Sequence, residues 1–301
     1  MEIDLGAVPR RYVESGGCRL AYRVVGEGEP ILLIMGLGAD GIAWQPHVKD
    51  YAKRFRCIVP DNRGVGGSDA PAGPYSTSQM ANDCAAVLRA VGDEPAGVVG
   101  ISMGGAIAQE LVLNHPSLVN RVVLVSSWCR CDAFLTDVFE HLRTTQNVLG
   151  PEDFAALLQL RIWSADYYSE HANELRSARQ LASETTVSPM AFAAQCAACI
   201  SHDSLTRLDG VRVPTLITCG ESDSFTVPAY AREIQAAIRG SQLEVLRGGH
   251  AHHWEELERF NELTASWLAS SNQQIAAHPW ARDRSDSGVE PPIQEPGHGN
   301  D

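Results

Sequence analysis

Short apolar runs rich in Val, Ile and Leu recur along this chain with helix-patterned stretches between them, and that alternation narrows the fold class first. GCRLAYRVVG (17–26), PILLIMG (30–36), RCIVPD (56–61), AGVVGI (96–101) and RVVLVSS (121–127) read as strands. Between them AWQPHVKDYAKRF, STSQMANDCAAVLRAVG and MGGAIAQELVLNHP carry apolar residues at helical spacing, the second opening on serine and threonine capping candidates. Strands joined through helices imply right-handed crossovers and a mostly parallel sheet. From Trp128 to Leu208 the strand signal disappears, and DAFLTDVFEHLRTTQNVLG, PEDFAALLQLRIW and PMAFAAQCAACISHD all read as helices. The alternation resumes with VPTLITCGE (213–221), PAYAREIQAAIRG, QLEVLRG and EELERFNELTASWLAS. The expected organisation is an α/β core over 1–127 and 209–272, a helical cap over 128–208, and a disordered tail over 273–301 rich in Pro, Gly and charge. An insertion of this kind belongs above the carboxyl ends of the strands, where α/β sheets bind ligands.

Composition excludes several function classes. Hydrophobic residues at 44% and charged residues at 20% suit a globular domain, and no apolar run approaches the ~20 residues that span a bilayer. MEIDLGAVPRR lacks the basic-then-apolar layout of a signal peptide, so a cytoplasmic location is the default expectation. A formal charge of −13 argues against nucleic acid and anionic membranes as partners, and oligomeric state is unreadable; the expected cap, rich in Ala, Leu and a few aromatics, suggests a medium-sized, largely apolar small-molecule ligand. The eight cysteines are irregularly spaced, unlike a disulfide framework. Cys196-x-x-Cys199 has only His202 nearby as a further ligand, so no metal site is expected.

One stretch concentrates the chemistry. In GVVGISMGG (97–105) a strand meets a helix, with Ser102 at the junction. Gly100 and Gly104 would let strand and helix approach closely enough to hold the hydroxyl up toward a substrate. The helix start leaves the Met103 N–H free to face developing negative charge. A serine needs a base, and the base needs a partner that fixes its tautomer. Asp223 lies directly after the strand VPTLIT and His250 directly after QLEVL, each on a loop where such a partner belongs. Glu221 could take the role of Asp223, and His252 and His253 could line the pocket or face solvent, but loop position favours Asp223 and His250.

At this point the chain resembles the α/β-hydrolase superfamily over nearly all of residues 18–270. DNRGVGGSD (61–69) is similar to a conserved-type turn of that family, GISMGGAIAQELVLNHPSLVNRVVLVSS to its nucleophile elbow, GESDSFTVP to its acid loop, and GGHAHHWEELERFN to its histidine loop and final helix. Within it the chain is most similar to the 3-oxoadipate enol-lactonase-like capped esterases and lactonases. The resemblance implies a cofactor-free serine hydrolase acting on an ester or lactone, with Ser102, His250 and Asp223 as triad. Where the family often has His-Gly after its third strand, this chain has Met35-Gly36-Leu37-Gly38, so the oxyanion donors fall by position on the backbone of Leu37 and Met103. Gly36, Trp128, Trp163 and Trp254 are the candidate substrate-binding residues, although Trp128 also suits core packing and Trp163, with Tyr167 and Tyr168, packing between cap helices. Asp61 and Arg63 suggest a structural ion pair. Two rival readings remain: a carbon–carbon bond hydrolase, which Trp254 favours and Ala251 disfavours, and a small-molecule receptor on the same fold.

Overall fold

The computed structural model describes residues 3–92, 94–182 and 187–270; the tail expected over 273–301 lies outside the described residues. Ala96–Ile101 (β5) and Thr215–Gly220 (β7) are buried at every position, as central strands covered by helices on both faces must be. They belong to an eight-stranded sheet with Arg11–Ser15 (β1), Cys18–Val25 (β2), Glu29–Ile34 (β3), Phe55–Pro60 (β4), Val119–Val125 (β6) and Gln242–Leu246 (β8). Its spatial order is β1-β2-β4-β3-β5-β6-β7-β8. The β1/β2 and β2/β4 pairs are antiparallel and all the others parallel. The fold is thus the α/β architecture that the alternation implies.

Differences from the sequence reading have local causes. RYVES of β1 is an edge strand with no buried position, so it lacks the apolar run that marks the others. The first expected helix shortens to a single 3₁₀ turn, Gly41–Trp44, followed by Gln45–Tyr51 (α1), because Pro46 enters only at a helix start. The last is preceded by a short turn of helix, His252–Glu255 (α10), and itself runs over Leu257–Ala269 (α11). Thr77–Val91 (α2) starts where Ser76 caps the Gln79 N–H, and Met103–Asn114 (α3) follows β5 directly.

Between β6 and β7 the chain runs through Ala133–Val148 (α4), Pro151–Ile162 (α5), Ala165–Glu170 (α6), Ala172–Ala182 (α7) and Pro189–Ile200 (α8). Asp132, Ser164 and Ser188 cap α4, α6 and α8 through side-chain oxygens that accept backbone N–H bonds. Pro228–Ala237 (α9) then connects β7 to β8.

The turn after β4 corrects one expectation. Asp61 and Arg63 do not pair with each other. The fully buried Asp61 carboxylate accepts the Gly41 N–H at 2.9 Å and the Gly67 N–H at 2.8 Å, and lies 3.4 Å from Arg23 Nη1. The guanidinium of Arg63 donates to both oxygens of Asp83 on α2, at 2.6 and 2.7 Å. A planar fork finds its bidentate match on the neighbouring helix, whereas the oxygens of Asp61 are already occupied by the turn.

Candidate active site

Ser102 stands between β5 and α3 with φ 55° and ψ −119°, a left-handed conformation strained for any residue with a side chain. Neighbouring contacts hold it there. Its N–H donates to the Val125 carbonyl at 2.8 Å, and its carbonyl accepts the Ser127 hydroxyl at 3.0 Å. The glycines are sterically required: a Cβ at Gly100 would lie 2.2 Å from the Gly104 carbonyl oxygen, and one at Gly104 would lie 2.2 Å from that of Ile34.

The loops after β7 and β8 bring a carboxylate and an imidazole together. His250 Nδ1 lies 2.9 Å from Asp223 Oδ2. An ionised carboxylate only accepts, so the proton sits on Nδ1 and Nε2 is left as a base. Oδ1 of Asp223 accepts the N–H groups of Phe225 and Thr226, at 2.8 and 2.9 Å. The Thr226 hydroxyl lies 2.8 Å from Asp223 Oδ2, 3.0 Å from His250 Nδ1 and 3.0 Å from the Ser126 carbonyl. Burial alone would raise the Asp223 carboxyl, but the imidazole and these hydrogen bonds outweigh it and hold the group below its ordinary value. Glu221 is exposed, away from this cluster. His252 is fully buried between Thr218 and Ser126, where desolvation pushes it down to about 3.

Ser102 and His250 face one cavity of about 370 Å³ above the carboxyl ends of the strands. Gly36, Leu37 and Trp254 also line it, and the roof includes Leu142, Phe154, Leu158 and Phe192 from the helices between β6 and β7. Among the described residues no Lys, Arg, Asp or Glu lines it; the polar side chains there are Ser102, Gln146, His250 and His253. The N–H groups of Leu37 and Met103 make no hydrogen bond among the described residues, whereas the Gly38 N–H donates to Gln195 Oε1 at 2.8 Å. Of Leu37 and Gly38, Leu37 therefore has the free donor.

Two expected pocket residues lie elsewhere. Trp128 is fully buried, with its ring 5.2 Å from that of Phe139 on α4 and 6.3 Å from His202 after α8, so it packs the base of the helical insertion instead of lining the cavity. Trp163 stacks on Tyr167 at 4.6 Å and leans on Trp254 at 5.6 Å, behind the wall that Trp254 forms. Cys196 and Cys199 are buried, and desolvation pushes the Cys196 thiol up to about 12. His202 Nδ1 lies 2.9 Å from the Thr77 hydroxyl.

Three residues of the site escape a reading of the sequence alone. Thr226 carries no signal beyond standing three places after Asp223. Gln195 is the one amide in the otherwise apolar PMAFAAQCAACI. Glu255 accepts the N–H of Gly249 and that of Ser164, both at 2.9 Å, and so fastens the histidine loop to the start of α6.

The profile of the alpha/beta hydrolase fold family matches residues 29–257. The chain is 31% identical over 264 residues to the protein named "Putative carbamate hydrolase RutD" in Azorhizobium caulinodans, covering 87% of this chain and 99% of the relative. Among solved structures, the enol-lactonase of Burkholderia xenovorans LB400 superimposes with a TM-score of 0.80 at 28% identity, over 86% of this chain and all of the other. An esterase of Exiguobacterium antarcticum does so with a TM-score of 0.78 at 25% identity, over 86% and 99% of the two chains. Sheet order, elbow and profile agree: the chain belongs to the α/β-hydrolase family.

Proposed function

We propose that this hydrolase cleaves a carboxylic ester or lactone of a neutral, largely apolar small molecule through a Ser102–His250–Asp223 triad. The observation that carries the reading is the 2.9 Å bond from His250 Nδ1 to Asp223 Oδ2 behind a cavity that His250 shares with a strained Ser102. His250 Nε2 takes the proton from Ser102 Oγ as that oxygen attacks the substrate carbonyl. The oxyanion that forms accepts hydrogen bonds from the backbone N–H groups of Leu37 and Met103. On collapse the alcohol leaves with the proton from His250, and Ser102 keeps the acyl group. A water molecule, deprotonated by the same imidazole, attacks the acyl-enzyme; the carboxylic acid departs and Ser102 regains its proton. In a lactone the leaving alcohol stays tethered to the acyl chain, and a single hydroxy acid is released.

The substrate class follows from the lining. The described lining holds no Lys, Arg, Asp or Glu to offset the desolvation of an ionised substrate, so neutral acyl groups are favoured. The similarity to the RutD protein favours a second reading, attack on a carbamate carbonyl by the same residues. A panel of neutral p-nitrophenyl esters, lactones and carbamates, graded by acyl size, separates the two. Ser102→Ala is expected to lower turnover of the best substrate by about 10⁴-fold or more with the fold retained. Turnover preserved in that variant would refute the triad.

A further inference from the structure

Helix α8 is apolar apart from Gln195, whose side chain is fully buried. Burying a primary amide costs desolvation unless its donors and acceptor find partners, and those that Gln195 finds are not on its own helix. Its Oε1 accepts the Gly38 N–H at 2.8 Å, and its Nε2 donates to the Arg63 carbonyl at 2.9 Å. One side chain from the insertion thus joins the loops that follow β3 and β4, 157 and 132 residues away in sequence.

The first of these bonds lies one peptide from the oxyanion donor. The Gly38 N–H belongs to the peptide that joins Leu37 to Gly38, and Gly38 has φ +75°. Fixing that peptide plane restricts the rotation available to Leu37, and so the direction of the preceding peptide, which carries the Leu37 N–H. The same loop abuts the elbow, since a Cβ at Gly36 would lie 3.2 Å from the Ser102 Cβ. Asn62 Nδ2 donates to the Met35 carbonyl at 2.9 Å and anchors the start of the loop from the core side. The far end is held from above, by Gln195.

We propose that Gln195 is a positioning residue through which the helical insertion sets the oxyanion-binding geometry, an inference that rests on the roles given above to Ser102 and Leu37. The bond to Gly38 also occupies the neighbouring donor, so that N–H is not available to the reacting carbonyl. Ground-state binding depends on the apolar walls and is left in place, whereas the stabilisation of the oxyanion is lost when the loop slackens. The effect belongs on kcat and not on KM.

Two variants test this: Gln195→Met, which keeps length but neither bond, and Gln195→Asn, which keeps the amide but falls short of Gly38. Each is expected to lower kcat by about 10-fold or more, short of the ~10²–10³-fold for deleting a donor outright, with KM within about threefold of the parent. An alkyl boronic acid adds to Ser102 and places an anionic oxygen at the same donors. Its affinity should fall by the same factor as kcat, while that of the product alcohol holds. Unchanged kcat in a folded variant, a change confined to KM, equal losses for boronate and alcohol, or loss of the folded state in both variants would each overturn the proposal. Ser102→Ala measured alongside keeps the two readings apart. If it retains turnover the triad itself fails; if it is inactive while the Gln195 variants match the parent, only the positioning role fails.

Discussion

The Thr226 hydroxyl stands where acid, base and strand β6 meet, within 3.0 Å of His250 Nδ1, Asp223 Oδ2 and the Ser126 carbonyl. A hydrogen bond to a carboxylate favours its charged form, and Thr226 is one of the groups holding Asp223 low. In Thr226→Val the carboxylate loses one of the hydrogen bonds that hold it against His250. We therefore expect kcat/KM to fall by about 10-fold, in line with a hydrogen bond to a charged group, and Thr226→Ser to restore it. A Val variant with the parental kcat/KM would contradict this role. The positions of Ser102, Asp223 and His250 are legible in the sequence because Ser102 directly follows β5 while Asp223 and His250 lie on the loops just past β7 and β8, and strand ends are where this architecture gathers side chains. Thr226 and Gln195 are not legible: their contacts are made across loops and across the helical insertion, and no spacing along the chain encodes them.

At the scale of elements, the turn after β4 is locked to α2 by Arg63 and Asp83, 2% and 5% exposed. Removing one partner of a buried pair leaves the other charge without compensation. Asp83→Ala is expected to cost about 3–5 kcal/mol, read as a lower urea midpoint at constant slope. A loss under about 1 kcal/mol would mean that Arg63 finds water or another acceptor. Strands and helices of the core were readable because burial on both faces leaves continuous apolar runs, as in β5 and β7. The exposed β1 has no such run. Trp128 shows the limit of reasoning from a strand end alone: two residues past the Ser126 turn, its ring drops beneath α4 and not into the cavity. The Asp61–Arg63 expectation failed for a similar reason, since closeness in sequence says little about which way a turn directs two side chains.

For the molecule as a whole, four buried imidazoles set the response to acid. Desolvation lowers His47 and His202 to about 4 and His252 to about 3, and it pushes His253, stacked on His47, well below its ordinary value. An unfolded chain protonates these side chains near pH 6.5, while the folded chain keeps them neutral. Below that pH the unfolded state binds more protons, so stability falls on acidification by up to about 1.4 kcal/mol per pH unit for each histidine, until the folded values are passed. Asp223 adds to the loss only at lower pH, as its depressed carboxyl becomes protonated. The urea midpoint should be steady from pH 8 to 7 and drop steeply from 6 to 4.5; a flat profile across that lower range would contradict the neutral state of these histidines.

The register that joins β6 to β7 runs from Val122↔Thr215 to Val125↔Thr218 and uses none of the five α-helices described between the two strands in sequence. Doubling the length of a connecting loop costs only about 0.6 kcal/mol in closure entropy. The splice point can therefore accept roofs of other sizes without disturbing the floor, which makes it a natural place to graft a new specificity. Any graft would still have to bring its own acceptor for the amide of Gly38, or inherit a well-fitted pocket above a slackened engine.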